Sequence, residues 1–363
     1  MRRLLLGRTL WSSAKASIFV QRTTLQRSMC HVEHKKIMEE GKPWALISEV
    51  GKNGYLQELA DILKKHFQIV SLKDFQQNSQ VYSHKIQVLF LWNAYPQVTL
   101  PLLSSLPLLK VVSNGGVGID HLDVPYISSL GVKVTNTPNV VNEATADMAM
   151  ALLLASARRV VEAHQIAIHP KTTDTPQWMM GDEVTGATLG IIGMGRIGYK
   201  IAQRSRGFDM KVLYHNRKRR SVEDENAVGA SYCQTMDDLL KESDFVVLAV
   251  DLTPETTRLI SHKELNLMKP TATLVNISRG LVVDQDALVK ALQSGIIRGA
   301  ATDVTYPEPL PRDHPLLNFP NMLITPHIGT NTYSTSRRMV QMMVDNALAV
   351  IRGEPLLNEV KPK

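Results

Sequence analysis

Four side chains that could bind an acid or move a proton follow apolar segments in the second half of the chain. Arg279 lies in NISRG, Asp303 and Glu308 lie in TDVTYPEPLP, and His327 lies in ITPHIGT. An arginine can bind a carboxylate through two parallel hydrogen bonds, and an imidazole paired with a carboxylate can give and take a proton near neutral pH. Taken singly, Arg279 is as well explained by a surface ion pair, Glu308 by the shape of a proline-rich loop, and His327 by a structural role. The chemistry therefore depends on a fold that brings these side chains together.

The elements that would position them are strands. Apolar segments alternate with helix-like ones along the chain, which favours an α/β fold built on parallel sheets. Open sheets of this kind bind ligands beyond the carboxyl ends of their strands, where all four side chains would lie. The predicted strands are in WALISEV (44–50), VLFLW (88–92), KVVSN (110–114), VKVTN (132–136), KVLYH (211–215), FVVLAV (245–250), TATLVNI (271–277), IRGAATDV (297–304) and NMLITP (321–326).

Helices are predicted from apolar spacing and from end signals. A single long helix is expected over residues 142–164, and a second is expected to start at Thr253, because proline follows at the first helical position. A last amphipathic helix carries Met339 and Met343 and is expected to stop at Gly353.

The segment TLGIIGMGRIG (188–198) is an apolar strand that runs into Gly193-x-Gly195-x-x-Gly198 and then into a helix-like stretch. The first glycine allows a tight turn, the second lets a pyrophosphate approach the backbone, and the third lets the helix pack on the strand. Such a motif by itself can be a glycine-rich turn of any α/β protein, but this one has the strand and helix that a dinucleotide site needs.

The segment after the next strand suggests which dinucleotide is bound. An NAD enzyme places an Asp or Glu at the end of this strand, whereas this chain has Asn216 followed by Arg217, Lys218, Arg219 and Arg220. Guanidinium groups form charged hydrogen bonds with a 2′-phosphate, which a carboxylate would repel. The sequence thus predicts NADP(H), with NAD(H) still open because Glu223 and Asp224 follow. The alternative is a solvated basic loop.

The positive charge of the chain is concentrated at its N-terminus. Of a formal net charge of +7, residues 1–28 contribute Arg2, Arg3, Arg8, Lys15, Arg22 and Arg27, and no acid precedes Glu33. This distribution argues against a nucleic-acid partner. It is typical of a mitochondrial transit peptide, which predicts a matrix protein; the alternative is a basic extension with initiation at Met29 and a cytoplasmic protein.

Composition excludes several other classes. The length of 363 residues and 44% hydrophobic content suit two globular domains. No apolar run reaches the ~18 residues of a membrane span. Cysteine occurs only at Cys30 and Cys233, so neither a disulfide framework nor a cysteine-rich zinc site is expected. Cys30, His31 and His34 fall in the N-terminal leader, and no metal site is predicted.

The order and wording of these motifs, together with VGIDHLD (117–123) and LTPETTRLI (252–260), resemble the D-isomer-specific 2-hydroxyacid dehydrogenases, and most closely their glyoxylate reductase/hydroxypyruvate reductase branch. The resemblance implies two doubly wound parallel-sheet domains, a Rossmann NAD(P)-binding domain inserted into a flavodoxin-like substrate domain. The implied division is a leader at 1–40, a substrate domain at 41–140, a dinucleotide-binding domain at 141–324, and a return to the substrate domain at 325–363.

The resemblance also implies roles for individual residues. His327 would exchange the proton, Glu308 would be its partner, and Arg279 would hold the substrate's carboxylate and carbonyl. The main chain of Val117 and Gly118 would bind the substrate's carboxylate, with Arg279 and His327 alongside. The implied cofactor-binding residues are Gly193, Gly195, Arg196, Ile197, Gly198, Arg217, Lys218, Arg219, Arg220, Ile277, Asp303 and Gly329, with Asp303 facing the nicotinamide.

The implied activity is the NADPH-dependent reduction of glyoxylate and hydroxypyruvate to glycolate and D-glycerate, by a homodimer in which Trp178 is an interface residue. One alternative is a reductase of a bulkier 2-oxo acid such as 2-ketogluconate. Another is a dinucleotide-sensing interaction protein that keeps the scaffold without the reaction. The expected partner is a small 2-oxo or 2-hydroxy acid, without nucleic acid or membrane.

Overall fold

The computed structural model describes residues 41–51, 54–174 and 176–362, and these form two compact units. The first unit comprises residues 41–113, Ile127–Val134 and Val344–Leu357. The second comprises Asn114–Tyr126, Thr135–Met343 and residues 358–362. The division at residues 140 and 324 expected from the sequence stays a prediction, and the expected leader lies outside the described residues.

The first sheet has five parallel strands in the order β2-β1-β3-β4-β5. Its central strands β1 and β3 are apolar on both faces, and Leu46, Leu89 and Phe90 are fully buried, as expected for a parallel sheet covered on both sides. The elements along this part of the chain are β1 (Trp44–Ile47), α1 (Gln57–Lys64), β2 (Gln68–Ser71), α2 (Leu72–Gln77), α3 (Ser79–Tyr82), β3 (Ile86–Trp92), α4 (Leu100–Ser104), β4 (Val111–Gly115), α5 (Val124–Ser129) and β5 (Lys133–Thr135).

The second sheet has seven parallel strands in the order β12-β11-β10-β9-β6-β7-β8. Within this sheet, β6 comes first along the chain. The strands β7 and β8 lie on one side of β6, and β9 to β12 lie on the other side. Its elements are α6 (Asn142–Ala157), α7 (Val160–Ile168), β6 (Thr188–Ile192), α8 (Arg196–Ser205), β7 (Lys211–His215), α9 (Val222–Val228), β8 (Ala230–Tyr232), α10 (Met236–Glu242), β9 (Phe245–Leu248), α11 (His262–Leu267), β10 (Thr273–Asn276), α12 (Gln285–Gln293), β11 (Gly299–Thr302), β12 (Met322–Ile324) and α13 (Tyr333–Arg352).

Two hydrophobic clusters sandwich this second sheet. In β9, Phe245 and Val247 belong to one cluster, whereas Val246 and Leu248 belong to the other. All four are at most 2% exposed. Since successive strand residues point to opposite faces, a run such as FVVL must be apolar throughout when helices cover both sides.

The α/β fold with two doubly wound parallel sheets is confirmed. The first sheet has the flavodoxin strand order, and the second has the order of dinucleotide-binding folds, with its crevice between β6 and β9. Each predicted strand is present, usually shorter by a residue or more at its ends. Two short strands, β2 and β8, were missed by the sequence analysis.

The expected single helix over residues 142–164 is wrong. The structure has α6 ending at Ala157 and α7 starting at Val160, because Arg159 between them adopts a left-handed conformation with φ of +51°. The guanidinium of Arg159 donates to both carboxylate oxygens of Glu162 at 2.9 and 2.7 Å and lies 5.6 Å from the ring centre of Trp178. These contacts fix the break, which the continuous apolar pattern conceals.

The expected helix start at Thr253 is also wrong. Residues 254–258 form turns, and α11 begins only at His262, where Ser261 and Glu264 form a capping box. The Thr256 hydroxyl donates to the carbonyl of Asp251 at 2.6 Å and the Thr257 hydroxyl to that of Thr253 at 2.8 Å. Hydroxyls that bond the local backbone in this way compete with the helix. The predicted stop of the last helix at Gly353, which has φ of +69°, is confirmed.

Candidate active site

The turn from β6 into α8 has the geometry of a phosphate cradle. Gly193 has φ of +95°, a left-handed value, and a Cβ there would collide with the main chain of Ala249. A Cβ on Gly198 would collide with the carbonyl of Gly193, so glycine allows α8 to begin this close to β6. Around Gly195, by contrast, the space is open. The turn therefore leaves room for a phosphate to approach the backbone.

The first turn of α8 is free to bind that phosphate. The helix begins at Arg196, and Gly195 before it supplies no side-chain cap. N–H groups at the start of a helix then need a partner, and an anion is a good one. Arg196 is exposed and Ile197 is half-buried beside it. The residues present therefore fit the pyrophosphate of a dinucleotide.

Asn216 connects the basic loop to this turn. Its side-chain oxygen accepts from the main-chain N–H of Met194 at 2.6 Å, and its amide nitrogen donates to the carbonyl of Met194 at 3.3 Å. Asn216 occupies the position at which NAD enzymes have an acid. Its side chain here stabilises the glycine turn.

The predicted phosphate-binding cations differ in their surroundings. Arg217 and Lys218 are exposed, and no contact with a carboxylate is found for either within the described residues. Arg219 donates from Nε and Nη2 to Glu225, both at 2.8 Å. Arg220 pairs with Asp224 at 2.9 Å. Their binding of a 2′-phosphate stays a prediction, and only part of their charge is free for it.

Arg279 follows β10 and is held on two sides. Its Nε donates to Asp120 at 2.9 Å and its Nη1 to the carbonyl of Ser278 at 3.0 Å. Its Nη2 lies against Gly118, where a Cβ would occupy the same space. The guanidinium is about 29% exposed as a side chain, so its free edge can reach a ligand. The expected binding of a substrate carboxylate by Arg279 stays a prediction.

The main-chain carbonyls of Val117 and Gly118, the residues expected to bind the substrate's carboxylate, are both engaged by asparagine side chains. The Val117 carbonyl accepts from the Asn136 side chain, and the Gly118 carbonyl accepts from the Asn114 side chain, both at 2.9 Å. With the carbonyls engaged, the N–H groups of Val117 and Gly118 are the polar groups available to a ligand beside Arg279.

His327 and Glu308 are brought together from separate loops. Nδ1 of His327 lies 2.8 Å from Oε2 of Glu308, and the other oxygen of Glu308 accepts from the Thr305 N–H at 2.9 Å. Partial burial acts to raise the pKa of Glu308, but the hydrogen bond and charge of His327, the Thr305 N–H and the charge of Arg279 outweigh it and lower the pKa below its usual value. Arg279 thus acts on the same carboxylate, which joins the three predicted catalytic residues in one electrostatic group.

Asp303 organises the loop that carries His327. Its buried carboxylate accepts from the Thr325 hydroxyl at 2.6 Å, the Ile328 N–H at 2.9 Å and the Gly329 N–H at 2.6 Å. Its carbonyl accepts from the His327 N–H at 2.8 Å. His327 itself has φ of +54°, a strained value that these contacts maintain. The expected nicotinamide contact of Asp303 stays a prediction, as do the cofactor contacts of Ile277, which is buried just after β10, and Gly329.

Three residues with clear positions in the site were not singled out from the sequence. Asp120 lies within the quoted VGIDHLD segment, but nothing in its spacing indicates an ion pair with Arg279, 159 residues away. Asn114 and Asn136 are the last residues of two predicted strands, and that location is the signal that could have identified them.

No helix of the described chain is both long and apolar enough to cross a membrane. Likewise, within residues 41–51, 54–174 and 176–362, no group of three or more His, Cys, Asp and Glu side chains is placed to hold a metal ion. Cys30, His31 and His34 lie outside these ranges.

Comparison with known proteins agrees with this geometry. Residues 150–329 match the family described as D-isomer specific 2-hydroxyacid dehydrogenase, NAD binding domain. A glyoxylate reductase of Thermococcus onnurineus (strain NA1) is 40% identical over 322 residues, which cover 86% of this chain and 94% of the relative.

Solved structures give the same result. A glyoxylate reductase from Paecilomyes thermophila superposes with a TM-score of 0.73 at 32% identity, covering 88% of this chain and 98% of the other. An NADPH-dependent glyoxylate/hydroxypyruvate reductase from Sinorhizobium meliloti, in complex with NADP and malonate, has a TM-score of 0.75 at 28% identity, covering 88% of this chain and 96% of the other.

Proposed function

Because the chain belongs to the D-isomer-specific 2-hydroxyacid dehydrogenases, NAD(P)-dependent oxidoreductases of 2-hydroxy acids, we propose that it reduces glyoxylate and hydroxypyruvate to glycolate and D-glycerate with NADPH. The observation that carries the proposal is the 2.8 Å contact of His327 with Glu308, whose pKa also responds to the charge of Arg279. An acid–base pair next to a carboxylate-binding cation is what reduction of a 2-oxo acid needs. The names of the relatives support the choice of substrates.

In this mechanism His327 gives a proton to the substrate's carbonyl oxygen. Since Glu308 engages Nδ1, Nε2 is the ring nitrogen that faces the substrate. The negative charge of Glu308 favours the protonated imidazole with which reduction must start. Arg279, held through Nε and Nη1, turns its Nη2 edge to the substrate and polarises the carbonyl. A nicotinamide dinucleotide held at the turn of Gly193, Gly195 and Gly198 would supply the hydride.

The test is a screen of the purified protein with glyoxylate, hydroxypyruvate, pyruvate and 2-ketogluconate, each with NADPH and with NADH. Oxidation of NADPH is followed at its absorbance, and His327→Ala protein prepared in the same way controls for contaminating reductases. Highest kcat/KM for glyoxylate or hydroxypyruvate supports the proposal. Preference for 2-ketogluconate contradicts the assignment of substrate, and cofactor binding without turnover of any acid contradicts a catalytic role.

The preference for NADPH is supported by the exposed cations Arg217 and Lys218 and by the absence of an acid at Asn216. Arg217→Ala combined with Arg219→Ala should weaken use of NADPH by about 1 to 3 kcal/mol for each charged hydrogen bond lost. Use of NADH, which has no 2′-phosphate, should be unchanged. Wild-type protein with equal or higher kcat/KM for NADH contradicts the preference.

A homodimer is part of the proposal. Ile168, Trp178 and Met180 are 60%, 66% and 73% exposed, and Arg159 joins Trp178 and Met180 to the start of α7. Large apolar side chains with this much exposure, such as Trp178 and Met180 near Arg159, are candidates for an interaction surface. Light scattering should give twice the chain mass for the wild type and a lower mass for Trp178→Ala. A wild-type monomer contradicts this assignment.

Import into mitochondria stays a prediction from the composition of residues 1–40, which lie outside the described chain. A fusion of residues 1–40 to a fluorescent protein should enter mitochondria. A version with the six basic residues of positions 1–28 changed to glutamine should not. A diffuse signal from the unaltered fusion supports the cytoplasmic alternative.

A further inference from the structure

A buried carboxylate lies beneath the basic loop of residues 216–220. Glu225, on α9, has a side chain only 6% exposed. It accepts from the Tyr214 hydroxyl at 2.5 Å and from Arg219 through two nitrogens at 2.8 Å. The Arg219 and Tyr214 hydrogen bonds lower the pKa of Glu225 to about 2, so it is ionised under all ordinary conditions.

This network fixes the loop through its main chain as well as through a side chain. The Tyr214 oxygen that donates to Glu225 also accepts from the main-chain N–H of Arg220 at 3.0 Å. Arg220 then reaches the glycine turn, where its Nη1 donates to the Met194 carbonyl at 3.1 Å. The contacts of Glu225 and Tyr214 therefore hold the same loop that Arg220 ties to the phosphate cradle.

The consequence concerns the cations at the head of the loop. Arg219 has given Nε and Nη2 to Glu225, and its guanidinium lies 5.6 Å from the ring centre of Tyr232. Arg217 and Lys218 precede it and are exposed. Holding such side chains and their backbone in place before a ligand arrives reduces the entropy lost on binding.

We propose that Glu225 is a positioning residue for cofactor selectivity, which holds loop 216–220 so that its cations meet the 2′-phosphate of NADPH. The proposal rests on the NADPH preference proposed above. It assigns Glu225 and Tyr214 an effect on binding of a 2′-phosphorylated dinucleotide and none on binding of NAD(H). Neither residue touches the cofactor in this assignment, since both act through Arg219 and the main chain of Arg220.

The sign of the effect separates positioning from simple electrostatics. Glu225 is an anion beneath a site for an anion. If charge alone mattered, Glu225→Gln would make the loop more positive and would tighten binding of a phosphate. If position matters, Glu225→Gln loosens Arg219 and weakens binding. Tyr214→Phe removes only a hydroxyl and changes no charge at neutral pH, so an effect of that variant reports position directly.

The experiment is isothermal titration calorimetry on the full-length chain with NADP⁺, NAD⁺ and adenosine 2′,5′-bisphosphate. For Glu225→Gln we expect Kd for NADP⁺ and the bisphosphate to rise about 10-fold, the scale of a few side chains that must be ordered on binding. For Tyr214→Phe we expect a rise of about 2- to 10-fold, the scale of one neutral hydrogen bond. Kd for NAD⁺ should stay at the wild-type value in both.

Glu223→Gln is the matched control, because Glu223 is exposed on the same helix and the substitution removes the same charge. Because it removes a charge without touching the Tyr214–Glu225–Arg219 contacts, it should raise none of the three Kd values. Unchanged or tighter NADP⁺ binding by Glu225→Gln overturns the proposal, as does equal loss for NADP⁺ and NAD⁺, which would indicate general damage to the fold. A wild-type protein that binds NAD⁺ as tightly as NADP⁺ instead overturns the NADPH preference, and this is seen before any variant is made.

Discussion

Replacing Gly118 by alanine tests the position of Arg279 without removing the guanidinium of Arg279 or the main-chain N–H of Gly118. The backbone of Gly118 lies outside the left-handed region, so alanine is compatible with its conformation. The added methyl group, however, would occupy the place of Nη2 of Arg279 and lie 3.1 Å from Oδ1 of Asp120. The guanidinium must move, and its 2.9 Å contact with Asp120 must lengthen or break.

The size of the effect follows from the contact that is lost. A hydrogen bond between charged groups contributes about 1.5 to 3 kcal/mol, but Arg279 and Asp120 are 29% and 32% exposed, so solvent screening reduces it. About 1 to 2 kcal/mol remains, which corresponds to roughly a 5- to 30-fold lower kcat/KM for the 2-oxo acid. KM for NADPH should be unchanged, because the glycine turn lies elsewhere on the sheet edge.

The assay is steady-state reduction of glyoxylate by Gly118→Ala, with Gly207→Ala as the control, since a Cβ on Gly207 meets open space. The effect should pass through Arg279. In an Arg279→Ala background, Gly118→Ala should therefore cause little further loss. Wild-type kcat/KM for Gly118→Ala would refute the placement of Arg279, and full additivity with Arg279→Ala would refute the explanation by displacement.

Three further predictions concern the proton-transfer group. His327→Ala should lower kcat by a factor on the order of 10² to 10⁴ with cofactor binding retained. A kcat close to the wild-type value in a steady-state assay of this variant would contradict the role of His327. Glu308→Gln should lower kcat for reduction, because the imidazole of His327 loses the anionic partner that lies 2.8 Å from its Nδ1; a wild-type kcat would disprove the pairing. Asp303→Asn should lower both Tm and kcat, since an amide cannot accept from all the donors of the His327 loop and leaves one buried N–H unsatisfied at a cost of about 1 to 3 kcal/mol; thermal unfolding and turnover at wild-type values would contradict this.

The features that the sequence predicted are those that depend on local pattern. A strand, a Gly-x-Gly-x-x-Gly turn and a helix follow one another along the chain as predicted, and Gly193 and Gly198 each meet a local steric need. The candidate acid-binding and proton-transferring residues could be located because each follows an apolar strand, and parallel strands put their ends at one edge. The break between α6 and α7 is also local, but the sequence pattern does not show it. An apolar helix pattern continues across Arg159, although the backbone turns left-handed there.

What the sequence could not provide is the pairing of charges. Four consecutive basic positions predict a phosphate site, but only the structure shows that Glu225 and Asp224 engage two of them. The carboxylates belong to α9, which the chain forms after the loop. Nothing in the letters SVEDENAV states which acid turns inward. Side-chain burial decides this, and burial is a property of the assembled sheet.

The same arrangement recurs at the other end of the site. Arg279 is held by Asp120 and Arg219 is held by Glu225, in each case through Nε, so that part of the guanidinium remains for a ligand. A flexible arginine would lose side-chain conformational entropy at every binding event, whereas an arginine held by an acid has already lost it during folding. An acid that holds an arginine also lowers the net positive charge of the site. This weakens the binding of any anion that is attracted by charge alone. In both ion pairs, the acid therefore weakens the electrostatic attraction of the site for anions but fixes the orientation of the arginine. For the proposed binding of a carboxylate and of a 2′-phosphate in fixed orientations, geometry would matter more than attraction.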